Sequence, residues 1–167
     1  PVTVATRPGR AARGSWALRD RPGLVWLGLA VLVALVHPFV PAASWLLVHL
    51  VLLGALTHSA MVWSTHFAQA LLKTKVRAGQ ANDPDRPQQN RRIGLLVAGQ
   101  AAVLVGVPAS LWPLTVVGAT AVSVAIGWHG IQLWRRLRRA LPGRFRVTVR
   151  YYLAAAAWLP VGAALGA

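Results

Sequence analysis

Residues 44–73 read SWLLVHLVLLGALTHSAMVWSTHFAQALLK, and no Asp, Glu, Lys or Arg occurs in that run before Lys73. The stretch is too long for a strand, so it predicts a helix. At helical rise, roughly 30 residues extend about 45 Å, well beyond the hydrocarbon core of a bilayer. Such a helix has to tilt or project into the cytoplasm.

Working outward, the same pattern recurs. The chain has 167 residues, is 56% hydrophobic and has positive mean hydropathy. Its 18 Lys and Arg face only three acids, Asp20, Asp83 and Asp85, for a net charge of +15. On a soluble protein that balance would suggest nucleic acid. Here the bases cluster between long uncharged stretches instead of lining helix faces, so no nucleic-acid partner is expected. The first block holds Arg7, Arg10, Arg13, Arg19 and Arg21. The second holds Lys73, Lys75, Arg77, Arg86, Arg91 and Arg92. The third holds Arg135, Arg136, Arg138, Arg139, Arg144, Arg146 and Arg150.

The expected fold is therefore all-α: an integral membrane bundle of about five transmembrane helices. Residues 1–22 form a basic cytoplasmic tail, and residues 23–167 form the bundle. Its spans are predicted at about 23–40, 44–73, 92–107, 113–139 and 147–167, with turns at residues 82–85 and 141–143 and Pro160 as a kink. Gly23 to Val40 is read as a span because His37-Pro38-Phe39, not a small-residue cleavage site, follows its apolar run. The connections around Pro41 and from Pro108 to Pro113 are uncharged. Under the positive-inside rule the basic side is cytoplasmic, so the N-terminus lies inside and the C-terminus outside, in a multi-pass protein of the cell membrane. Trp45 and Trp112 fall at the outer boundary, and Trp134, Tyr151 and Tyr152 near the inner one, as an interfacial belt does.

Cysteine is absent, which excludes disulfides and thiolate chemistry. No acid lies within a span, and no catalytic constellation is visible. The polar groups within the spans are the functional candidates. At about 100° per residue, His58 lies about 180° from His49, and Gly54, Thr65, Gln69, His66 and Ser59 gather on the His58 side, with Trp63 and Phe67 opposite. His58 and His66 are thus expected to face the bundle. His49, like His37, is expected to anchor at the outer boundary. In the fourth span His129 shares a slim face with Thr115, Gly118, Val122, Ala125 and Gln132. The third span carries Gln100 and a small-residue ridge, Gly94, Ala98, Ala102 and Gly106, that invites close helix contact. His129 matches His66 in depth from the inner side and His58 from the outer side. Facing histidines ligate b-type haem, or copper with a third ligand, which makes His58, His66 and His129 candidate cofactor ligands. The same residues equally suit helix–helix hydrogen bonding, or proton and quinone handling.

Two regions carry a resemblance. One is His49-Leu50-Val51-Leu52-Leu53-Gly54 running on to Val62-Trp63-Ser64-Thr65-His66-Phe67-Ala68. The other is Trp112-Pro113-Leu114-Thr115 through Trp128-His129, with Leu141-Pro142-Gly143-Arg144-Phe145 and Val147-Thr148-Val149-Arg150-Tyr151-Tyr152. Together, over residues 23–167, they resemble the N-terminal membrane region of actinobacterial multicopper oxidases related to copper-containing nitrite reductases. The resemblance implies a membrane part preceding extracytoplasmic cupredoxin domains, a copper-dependent oxidoreductase as parent, trimers when those domains are present, and family histidines at His49, His66 and His129. The ligands of the cupredoxin coppers have no counterpart here, so this segment alone is not expected to be an enzyme. It is expected to anchor the redox domains and to relay electrons through a histidine-bound cofactor. A stop at Ala167 without a polar flank reads as a partial chain. Two alternatives stay open: a cofactor-free membrane scaffold and a stand-alone b-type haem membrane protein. A transporter-like unit has less in its favour, because no intramembrane charge or inverted repeat is seen.

Overall fold

The computed structural model describes residues 11–71, 85–139 and 146–165, with side chains over 21–68, 87–138 and 147–162. Over these residues the chain is all-helical, and its six α-helices make five rods, because the second and third are joined end to end. The first, α1, spans Ala11–Leu35, and a 3₁₀ turn follows at His37–Phe39. Next, α2 (Ala43–His49), a π-helical stretch (Leu50–Leu56) and α3 (Thr57–Leu71) follow without a break and form one long rod. Then come α4 (Asp85–Gly106), α5 (Trp112–Arg139) and α6 (Arg146–Leu165).

The boundaries differ from the sequence expectation in three places. The segment read as the end of a basic tail is helical from Ala11, and α1 runs through Pro22. Ala, Leu and Arg around that point favour helix enough to absorb one lost backbone bond. The same helix ends at Leu35, not Val40, because Pro38 disfavours α geometry at His37. Likewise α4 begins at Asp85 rather than Arg92, with Pro87 in its first turn, where a missing N–H costs nothing. Pro160 sits within α6. The expected turns at residues 82–84 and 141–143, and the bases at positions 73–77, lie outside the described residues.

The rod organises the packing. At one end its Leu50 and Ala55 meet Trp26 and Ala30 of α1 and Leu104 of α4. Midway, Met61 meets Leu96, Val122, Ala125 and Ile126. At the far end Ala68 meets Leu133, Leu137 and Val149. The connection between α4 and α5 is short, and the two helices run antiparallel at near backbone contact. A Cβ added to Gly99 would stand 2.8 Å from the Gly118 carbonyl oxygen, and one on Gly106 would stand 2.6 Å from Thr115 Oγ1. The contact ridge is Gly99, Ala102 and Gly106, whereas Gly94 and Ala98 of the expected ridge are exposed. The face expected on α5 does turn inward: Gly118, Val122, Ala125 and His129 are all buried.

The turn after α4 closes a Schellman motif. Leu111 N–H donates to Gly106 O at 2.8 Å and Ser110 N–H to Val107 O at 3.0 Å, with Ser110 in the left-handed region at φ 56°.

Two helical segments, Ala43–Ala68 and Trp112–Arg138, are long and apolar enough to cross a membrane, and Arg21–Leu35 is a shorter apolar helix. In their most apolar stretches the two long segments are only 33% and 28% buried, unlike the core helix of a soluble domain, which would be largely enclosed.

Candidate polar site inside the bundle

The interior of this bundle holds polar side chains. His58 and Gln100 are fully buried, and Ser64, Thr65, Gln89, Arg92 and His129 are buried as well.

Ser64 on α3 and His129 on α5 are joined: Oγ lies 2.8 Å from the His129 Nε2. They line a cavity of about 200 Å³ with Tyr152 and Ala156 of α6. Thr65 donates its hydroxyl back to the Met61 carbonyl. Arg92 donates Nε–H to the Gln88 carbonyl at 3.3 Å and holds its guanidinium 5.9 Å from the Trp128 ring, a cation–π contact at the basic end of α4 and α5.

Gln100 reaches across from α4 to the π-helical stretch. Its Nε2 donates to the Leu53 carbonyl and, at 3.4 Å, to that of Gly54. Carbonyl partners only accept, so the amide nitrogen must face them. The Oε1 is buried without a partner among the described residues. On its other side Gly54 packs against α1, where a Cβ would stand 2.8 Å from Trp26 Cγ.

The π-helical stretch changes the phase of everything before it. One extra residue in a turn rotates the preceding helix by about 100° relative to an uninterrupted α-helix. His49 is thereby brought round from the lipid-ward side expected for it. It is half-buried, stacks on Trp45 with ring centroids 3.9 Å apart at 18°, and places Nδ1 2.8 Å from the Trp45 carbonyl. A second cavity, of about 460 Å³, opens beside it, lined by Trp45, His49, Leu53, Thr57, Thr115 and Gly162 among others.

The sequence-predicted ligands are thus dispersed. His58 is fully buried, as expected. His66, expected to face inward, sits at the rim of the rod, edge-on to the exposed Trp63 and beside Phe67. His129 is hydrogen-bonded to Ser64. His37 is exposed. Among the described residues no three His, Asp or Glu side chains converge as metal ligands, so His49, His66 and His129 do not form a three-histidine copper site. His129 Nε2 is engaged, and its cavity is smaller than the roughly 300–1,000 Å³ of ligand pockets.

Sequence reasoning missed Ser64, the targets of Gln100, and the tucked position of Arg92. Ser64 was legible only through Met61 and Ala68, the residues that share its side of α3 and are buried with it. Comparison with known protein families, with curated proteins and with solved structures finds no match for this chain.

Proposed function

We propose that this chain is a multi-pass protein of the cell membrane with five spans, its N-terminus inside and its C-terminus outside, and that it acts as a membrane anchor and not as a catalytic unit. The observation that carries the reading is the inverted distribution of polarity. Leu35 is 76% exposed, Phe39 88%, Val117 65% and Trp158 72%, while His58, Gln100 and Arg92 are 3% exposed or less. In water such a surface would be an aggregation liability. In a bilayer it is the solvated face, and the interior polar groups hold the helices together. The three helices that miss or only approach the length and apolarity of a span carry their polar residues at the basic end. Arg91 and Arg92 begin the apolar part of α4, and Arg150 that of α6.

The role as anchor for extracytoplasmic copper redox domains rests on the resemblance noted above. The positive-inside reading supports it by sending the C-terminal end of α6 to the outer face. Within the bundle the histidines act as hydrogen-bonding groups, with Ser64 and His129 as the clearest pair. Alkaline carbonate extraction tests the anchoring: the chain stays in the membrane pellet, and release into the supernatant would sink the reading. A purified chain in detergent is expected to show no Soret band and no stoichiometric copper. Either signal would restore the histidines as cofactor ligands.

A further inference from the structure

We infer that the cavity of about 460 Å³ beside His49 binds a lipophilic molecule with a hydroquinone head group, in preference to the corresponding quinone; the inference rests on the membrane reading above. The volume lies within the roughly 300–1,000 Å³ range of small-molecule sites. The cavity lies at the end of the bundle where the uncharged connections are, between the rod, α4, α5 and α6. Val48, Leu52 and Gly162 on its lining are exposed, so it opens sideways between the rod and α6, toward lipid.

The polarity of the lining selects the ligand. His49 donates Nδ1–H to the Trp45 carbonyl, which in the neutral ring leaves Nε2 with a lone pair and no proton. Thr57 gives its hydroxyl proton to the Leu52 carbonyl at 2.8 Å, and Thr115 gives its own to the Leu111 carbonyl at 3.3 Å. These three polar side chains therefore present only acceptors, and the rest of the lining is apolar save for the Trp45 indole, whose ring stacks flat on His49 and whose N–H is the lining's one side-chain donor. Three acceptors against one donor favour a neutral, apolar ligand that brings its own O–H groups. A hydroquinone has two O–H groups on a planar ring. A quinone has only acceptors and would set oxygen against lone pairs. The π-helical stretch is what puts His49 on this wall, and such insertions recur at functional sites.

The test is calorimetric titration of the chain in lipid nanodiscs, without oxygen. The probes are 2-methyl-1,4-naphthohydroquinone, its quinone, and its dimethyl ether, which lacks donors. The hydroquinone is expected to bind at least about tenfold more tightly than the other two, the equivalent of one good hydrogen bond. His49→Phe is expected to remove that preference, by weakening hydroquinone binding. Thr115→Val is expected to lower hydroquinone affinity by a smaller factor, and Gly162→Leu, on the cavity mouth, to weaken all three probes. Equal binding of the three probes would make the cavity a greasy space for acyl chains and overturn the proposal. So would an absence of binding by a chain whose five-span topology is intact. A topology other than five spans would sink the membrane reading separately, and the ranking of the probes would still decide the cavity.

Discussion

Ser64 Oγ and His129 Nε2 lie 2.8 Å apart, both buried, and are separated by 65 residues of chain. This bond ties the rod to α5 midway between the Met61 and Ala68 layers of the core. Ser64→Ala would strand a buried imidazole nitrogen. Within membranes such pairs couple by about 0.6 kcal/mol on average and up to about 1.7 kcal/mol. A double-mutant cycle of Ser64→Ala and His129→Phe, read by thermal unfolding in detergent, is expected to return a coupling in that range. Zero coupling would mean the bond contributes nothing.

The α4–α5 hairpin depends on glycine at Gly99 and Gly118, where an added Cβ would stand 2.8 Å from the partner helix. Gly118→Val is expected to destabilise by about 1–3 kcal/mol through overpacking. Gly94→Val, in open space on the same helix as Gly99, is expected to change stability by less than about 0.5 kcal/mol. Equal losses from the two changes would contradict the packing described.

Ser110 occupies the left-handed position of the Schellman motif at φ 56°. Glycine adopts that geometry without the Cβ penalty. Ser110→Gly is expected to raise the unfolding temperature, and Ser110→Val to lower it, by amounts equivalent to about 1 kcal/mol. A lowered temperature for Ser110→Gly would argue against the cap.

Gln100 anchors the π-helical stretch through the Leu53 and Gly54 carbonyls. Gln100→Leu is expected to destabilise by about 1 kcal/mol and to raise amide exchange at residues 50–57, where the widened turn loses its brace. Unchanged exchange there would show that the widened turn persists without Gln100.

The helices were legible because their signal is coarse: long apolar runs, prolines near their ends, and charges kept outside those runs. Two helix starts lie earlier than the apolar runs that mark them, because α1 continues back through Pro22 to Ala11 and α4 through Pro87 to Asp85. The α5 face was legible because Thr115, Gly118, Val122 and Ala125 keep strict helical period up to His129. The rod's face was read less well. Polar residues do not by themselves mark its interior: Met61 and Ala68 are buried while His66 is left at the rim. The position of His49 could not be obtained by counting at a constant angle, because one inserted residue between Leu50 and Leu56 breaks the count. Hydrogen bonds between distant segments, such as Ser64 with His129, depend on helix contacts that periodicity does not specify.

The proposed anchor rests on a five-span arrangement, and a chain without cysteine allows it to be measured directly. Single cysteines introduced by Phe39→Cys, Ala109→Cys, Gln80→Cys and Gly143→Cys are probed with a membrane-impermeant maleimide. In intact cells, Phe39→Cys and Ala109→Cys label, while Gln80→Cys and Gly143→Cys label only after the membrane is permeabilised. Labelling of Gln80→Cys or Gly143→Cys in intact cells, or protection of Ala109→Cys until permeabilisation, would contradict the five-span account.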